Sequence, residues 1–446
     1  MIQIITLEEN EELDIDSMER GEGIPASAME SAKAIIADVR ERGDAALIEY
    51  TEKFDKAKLE ALKVPDEVIS DAINHLDPEV VEALDKAFVS ISAFHDNDVP
   101  QSSFKISEDG SIVGYKVTPL RKVGLYIPGG RACYPSTILM NAIPAKMAGV
   151  EHLVLVTPPN EDGTIDPALL YAASICDVDD VYSVGGAQAI AALAYGTESI
   201  ARVDKIVGPG NVYVAAAKNL VSGVVGIDLQ AGPSEALIIA DESSIPEFVA
   251  TDLLSQAEHD PNASCFLVLV GDAILQDVLE EMEEKIARSP RREIIEASID
   301  NNGLIVVCPS LESAVNTANA IAPEHLQIMT MNAMEVVGHI RNAGAIFVGS
   351  WTPVALGDYI AGPSHTLPTS GTARFSSPLN THDFVKRSSV IAYSYPALVR
   401  DSDSVEKIAM QEGFSMHALS VSERIEIAES AFAEDEAAED AVGEEL

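Results

Sequence analysis

At 446 residues the chain is long enough for two or three domains, and its 47% apolar content is too high for a disordered protein. No apolar run approaches the ~20 residues that span a bilayer, and the opening Met1-Ile2-Gln3-Ile4-Ile5 lacks the basic start of a signal peptide, so the chain reads as cytoplasmic. Asp and Glu number 72 against 29 Lys and Arg, a net charge of −43 that repels nucleic acid and anionic membranes and excludes both as partners.

The first 23 residues are acidic and weakly periodic and read as an arm. From Pro25 to about His95 helical spacing dominates: Ala28, Ala32, Ile35, Ile36 and Val39 share a face, and Gly43 is a plausible stop. Ser102 to Lys116 predicts a strand–turn pair around Asp109-Gly110. Short apolar runs then alternate with helices. Val123–Ile127, His152–Val156, Val181–Val184 and Lys205–Val207 read as strands, and a second series starts at Ala236–Ala240 and runs to Ala345–Val348. Near-continuous apolar strands between helices predict parallel sheets covered on both faces. Two such series give two α/β domains with a cleft between them. From about Ser376 the chain is short, more helical, and ends in an acidic run that reads as a solvated tail.

Four cysteines, Cys133, Cys176, Cys265 and Cys308, are widely spaced without a Cys-x-x-Cys pair, so neither a disulfide framework nor a thiolate zinc site is indicated. Three glycine-bearing turns follow strands of the first series: Tyr126-Ile127-Pro128-Gly129-Gly130, Gly185-Gly186-Ala187-Gln188 and Gly208-Pro209-Gly210-Asn211. They occupy the carboxyl edge where such sheets bind ligands, and the latter two open helices whose N-termini favour phosphate. Each alone is ordinary turn chemistry; three in one half of the chain point to a nucleotide.

The reactive side chains gather in four segments. Ser255-Gln256-Ala257-Glu258-His259 ends a predicted helix that starts with a Ser244/Glu247 capping box and Pro246, placing Gln256 and His259 on one face. Pro323-Glu324-His325-Leu326 lies at a strand end and offers two proton acceptors of different basicity. Gly357-Asp358-Tyr359, with His365 seven residues after Asp358, belongs to a Gly- and Pro-rich stretch unsuited to a helix interior. Glu412-Gly413-Phe414-Ser415-Met416-His417 sits in a region too small for its own core. Together these imidazoles, carboxylates and an amide suit a divalent metal and proton transfer.

With Ile227-Asp228-Leu229-Gln230-Ala231-Gly232-Pro233-Ser234-Glu235, these segments resemble histidinol dehydrogenase, in order and near-family spacing from about residue 25 to 425. That family oxidises L-histidinol to L-histidine through L-histidinal, the last step of histidine biosynthesis, with two NAD and one zinc ion per subunit. The resemblance implies zinc ligands Gln256, His259, Asp358 and His417, the last of these and Glu412 coming from the neighbouring subunit of a homodimer. It implies Glu324 and His325 as proton acceptors. Ser234, His365 and Glu412 join the zinc ligands and His325 around the substrate, and Tyr126, Gln188 and Asn211 contact NAD. The implied plan is two Rossmann-like parallel-sheet domains: an arm to residue 23, a zinc and catalytic domain of 24–125 plus 235–375, an NAD domain of 126–234, a mainly helical dimerisation region of 376–425, and a disordered acidic tail of 426–446. A different small amino alcohol or diol as substrate, or a zinc hydrolase, stays open to the residues alone, but a hydrolase leaves the three glycine turns without a purpose.

The acidic excess runs along the whole chain, and self-repulsion on that scale is screened once the Debye length falls to ~3 Å near 1 M salt. The expectation is adaptation to a salty cytoplasm. Melting followed by circular dichroism should rise by roughly 5 °C or more between dilute buffer and ~2 M KCl; full stability and activity in dilute buffer removes that reading.

Overall fold

The computed structural model describes residues 2–15, 23–129, 133–229 and 232–443, with side chains as far as Glu434. Residues 16–22 of the arm, Gly130 of the first glycine turn, Gln230-Ala231 and residues 444–446 lie outside the described residues. Fourteen strands are described: β1 Gln3–Thr6, β2 Ser103–Ile106, β3 Ile112–Pro119, β4 Lys122–Tyr126, β5 His152–Thr157, β6 Asp180–Ser183 and β7 Lys205–Val207, then β8 Gly226–Ile227, β9 Glu235–Ala240, β10 Ser264–Val270, β11 Gly303–Cys308, β12 His325–Ile328, β13 Ala345–Val348 and β14 Val385–Ala392. The chain divides into two compact units, residues 1–99 with 119–385, and residues 100–118 with 386–446.

The first unit holds two parallel sheets, ordered β6-β5-β4-β7-β8 and β1-β11-β10-β9-β12-β13. Both follow one plan. The first strand of each series, β4 or β9, lies centrally, with the second and third on one side and the fourth and fifth on the other. The strand order therefore reverses beside β4 and beside β9, and such reversals open the crevices where α/β sheets take ligands. Every residue of β9 and of β11 is buried, which is why these strands read as unbroken apolar runs.

Helices cover both faces of each sheet. Ala28, Ala32, Ile36 and Val39 of helix Ala26–Arg42 pack with Val154, Ile190 and Val214 on one face of the five-stranded sheet. Leu84, Ala87 and Ile91 of helix Pro78–Asp96 pack with Leu125, Ile138 and Leu139 on the other. The six-stranded sheet buries helix Pro246–Ala257 on one face and Leu311–Ile321 on the other. Residues 3–6, read as part of an arm, instead form β1 and extend this sheet beside β11.

In the second unit β2 and β3 form the expected antiparallel pair, turning at Gly110 with φ +82°, and β14 joins β3. Helices Tyr395–Gln411 and Ser415–Gly443 complete it. The second helix runs through the segment expected to be a disordered tail, because Ala and Glu are strong helix formers. Among the described residues no helix is long and apolar enough to cross a membrane. All four cysteines are free thiols, three of them buried and Cys133 exposed.

The inner face of helix Pro78–Asp96 ends in a histidine. His95 is 0% exposed and neither ring nitrogen has a hydrogen-bond partner. Burial lowers its pKa, opposed by the charge of Asp98. The unfolded chain then binds the proton more readily than the folded one, so this group's stabilisation is full above about pH 6.5 and is lost as the pH falls below it. His95→Phe should flatten the decline in melting temperature between pH 7 and 5. An identical decline in the variant assigns the acid sensitivity to other groups.

Candidate active site

Glu324 and His325 stand at the head of β12, directly after a tight reversal. Helix Leu311–Ile321 stops at Ala322, a non-glycine residue in the left-handed region at φ +51°, and Pro323 bars further helix. The N–H groups of Gly344 and Ala345 bond the Pro323 and Glu324 carbonyls at 3.0 and 2.9 Å, holding this reversal against β13. Parallel pairing sets His325 opposite Ala236 of β9. Consequently one residue, Glu235, reaches both reactive groups through its backbone. Its N–H donates to Glu324 Oε2 at 2.8 Å, and its carbonyl accepts from His325 Nδ1 at 2.9 Å.

A carbonyl can only accept, so His325 Nδ1 carries a hydrogen and Nε2 is the basic atom of the neutral ring. Nε2 is buried, has no hydrogen-bond partner, and lies 3.8 Å from Asp358 Oδ1. Glu324 Oε2 lies 3.6 Å from Nδ1. Burial pushes the Glu324 carboxyl upward, and His325 and the Glu235 N–H only partly oppose it. Burial opposes charging of His325, but Glu324 and then Asp358 outweigh it and raise its pKa. Such a desolvated, mutually perturbed acid–base pair is characteristic of catalytic sites.

Asp358 lies in the last turn of the short helix Val354–Tyr359, so the stretch expected to be irregular begins with a helical turn and is irregular only beyond it. Burial raises the Asp358 carboxyl, yet the imidazoles of His325, His365 and His259 bring it below its ordinary value. The Asp358 carbonyl accepts from His365 Nδ1 at 2.9 Å, which leaves His365 Nε2 to accept from the Thr137 hydroxyl at 3.3 Å. Burial lowers the His365 pKa, against the pull of Asp358. Thr137 belongs to helix Pro135–Met147, just after the first glycine turn, and no sequence motif marks it as a partner of His365.

Gln256 is buried in the last turn of helix Pro246–Ala257, with Nε2 unpartnered, while His259 is exposed just beyond it. The expected capping box is absent. Ile245 is the N-cap, and the Ser244 hydroxyl instead accepts from the Asp241 N–H and donates to the Met329 carbonyl. Ser234 precedes β9, its carbonyl bound by the Ser264 N–H at 3.0 Å. Ser234, Gln256, His259, Glu324 and His325 lie at the amino edge of the six-stranded sheet.

Tyr126, Gln188 and Asn211 lie instead at the carboxyl edge of the five-stranded sheet. Tyr126 ends β4; its buried hydroxyl accepts from the Gly186 N–H at 3.1 Å and burial pushes its pKa up to about 12. Gln188, in the first turn of helix Gly186–Tyr195, is buried with Oε1 unpartnered. Asn211 caps helix Val212–Val221, its Oδ1 accepting from the Tyr213 and Val214 N–H groups at 3.0 and 3.2 Å. Glu412 and His417 belong to the second unit, where both are exposed: Glu412 caps helix Tyr395–Gln411, and His417 lies in the first turn of the next helix with its ring 5.2 Å from that of Phe414. Among the described residues no three His, Cys, Asp or Glu side chains converge as a metal-binding group.

The model of the histidinol dehydrogenase family matches residues 18–425. The histidinol dehydrogenase of Halalkalibacterium halodurans is 49% identical over 358 residues, 80% of this chain and 84% of that protein. That of Oceanobacillus iheyensis is 51% identical over 348 residues, 78% and 81% of the two chains. The crystal structure of histidinol dehydrogenase from Elizabethkingia anophelis superposes with a TM-score of 0.90 at 34% identity, covering 96% of this chain and 99% of that one. The chain is an oxidoreductase of histidine biosynthesis and belongs to the histidinol dehydrogenase family.

Proposed function

We propose that this protein works in the cytoplasm as a homodimer with shared active sites, oxidising L-histidinol to L-histidine through L-histidinal with two NAD and one zinc ion per subunit. The observation that supports this most directly is the buried Glu324–His325 pair, held from both sides by the Glu235 peptide groups. The reading gives the five-stranded sheet to NAD, through Tyr126, Gln188 and Asn211, and the amino edge of the six-stranded sheet to substrate and metal.

The donor set fits zinc. Gln256, His259 and Asp358 offer an amide oxygen, an imidazole and a carboxylate, and the His259 imidazole is near enough to help lower the Asp358 carboxyl. In this reading His417 of the partner subunit is the fourth ligand. Bound zinc supplies a Lewis acid that holds the substrate's imidazole and amine.

The residues of the chain do the proton work. His325 Nε2 takes the hydroxyl proton of the carbinol; NAD, which Tyr126, Gln188 and Asn211 would hold, would supply the hydride acceptor. Glu324, kept basic enough by its burial, takes a proton from the water that adds to the aldehyde, and a second hydride transfer leaves the carboxylate. His365, fixed by the Asp358 carbonyl and Thr137, faces the substrate with Ser234, and Glu412 of the partner subunit closes the site. A shared site accords with the second unit, whose helices leave Val405, Ile408, Phe414, Met416, Leu419 and Ile427 exposed.

Glu324→Gln removes the water-activating base while keeping its size, so oxidation of L-histidinal should fall ~10²–10⁴-fold and exceed the loss on L-histidinol. Equal losses in the two half-reactions would refute this division of roles. With limiting L-histidinol, excess NAD and zinc in high salt, two NADH per histidinol should form, and a chelator should abolish both. One NADH means that the reaction stops at the aldehyde; none moves the bet to another alcohol.

A further inference from the structure

The connection leaving β8 carries the chain from the five-stranded sheet into β9 of the six-stranded one, and an ion pair anchors its start. Lys218, in helix Val212–Val221, and Asp228, directly after β8, have side chains only 5% and 2% exposed. The Lys218 ammonium donates to Asp228 Oδ1, to the Gly208 carbonyl at 2.9 Å and to the Leu229 carbonyl at 3.4 Å. The other Asp228 oxygen accepts the Gly208 N–H at 2.7 Å. Gly208 thus gives both of its main-chain polar groups to the pair. Its φ is +114°, and a Cβ there would collide with the Tyr126 carbonyl, so only glycine can lie this close to the end of β4.

Stability alone does not call for these charges, since a buried ion pair can commonly be replaced by well-packed apolar residues without loss. What an apolar pair cannot do is bind the N–H and the carbonyl of a turn that has left its strand. The turn in question is Gly208-Pro209-Gly210-Asn211, beside the reversal between β4 and β7. Lys218 is also used up: its three donors meet three acceptors, so it is no phosphate ligand.

We propose that Lys218 and Asp228 are positioning residues for the dinucleotide. They lock Gly208, and with it the turn leading to Asn211, against Tyr126 before the nucleotide arrives, so that binding does not have to order the turn. This rests on the NAD reading above. The same pair fixes the start of the segment whose far end, Glu235, holds Glu324 and His325, and Gly232 within it donates to Thr369 Oγ1 at 2.6 Å.

The test is calorimetric titration of NAD and, separately, of L-histidinol with zinc present. Single Lys218→Met leaves a buried carboxylate unpaired and is prone to misfold. The informative variant is therefore Lys218→Met with Asp228→Asn, which removes both charges at similar volume. Its Kd for NAD should rise about tenfold or more while that for L-histidinol changes less than about twofold, and Lys218→Arg should retain part of the NAD affinity. Unchanged NAD affinity, or equal loss for both ligands, overturns the proposal. Should the double variant not fold, amide exchange of the wild-type protein decides. The Gly208 N–H should be as protected without NAD as the amides of β4 and β7, and protection appearing only with NAD overturns the proposal. Wild-type protein that binds L-histidinol but no NAD overturns the dinucleotide reading itself, and the proposal with it.

Discussion

Two hydrogen bonds from the Glu235 backbone, one donated to Glu324 and one accepted from His325, set the geometry on which the candidate site depends. They exist because β9 and β12 run parallel and adjacent where the strand order of the six-stranded sheet reverses. A backbone tether has no rotamer freedom, so the carboxylate and the imidazole are aimed without the entropy cost of holding two long side chains. The first bond stabilises the ionised carboxylate that burial disfavours, and the second selects the imidazole tautomer. One peptide segment therefore fixes both position and protonation.

The two sheets share one strand order yet offer opposite ends to chemistry. The five-stranded sheet presents the turns after β4, β6 and β7, the carboxyl edge expected of such folds. The six-stranded sheet presents the residues that precede β9, β10 and β12, its amino edge. The bond from the Thr137 hydroxyl to His365 ties the helix that follows β4 to the loop that carries His365. In the proposed reaction such a meeting is required, because the hydride acceptor and the proton acceptor must act on the same carbon and its oxygen.

Much of this plan was readable in the sequence because β4, β5 and β9–β12 are buried on both faces and so cannot hide their apolar runs. Glu324, His325, Gln256 and Asp358 stood out as polar residues where strands or helices end. Thr137 did not, since its role depends on His365, 228 residues away, and an early helical Thr carries no mark of that partner. Lys218 carries no mark of a partner in the sequence, and the fold shows Asp228 against its ammonium. Periodicity revealed helix Ala26–Arg42 but not which sheet it covers, because an apolar stripe is indifferent to its partner. Ser244 and Glu247 satisfied the pattern of a capping box, but the Met329 carbonyl offered Ser244 a buried alternative.

The strand at residues 3–6 has a consequence for the order of assembly. It pairs with residues 304–307, so it waits for a partner synthesised three hundred residues later. The strands of the five-stranded sheet and its covering α-helices, by contrast, lie before residue 228 and can pair while synthesis continues, with Leu379 and Phe384 joining that core later. The six-stranded sheet is therefore completed late and through long-range contacts, the slow kind of closure. During that interval β11 is an open apolar edge, and residues 3–6 are the strand that covers it, making them a guard against mispairing as much as a part of the finished sheet.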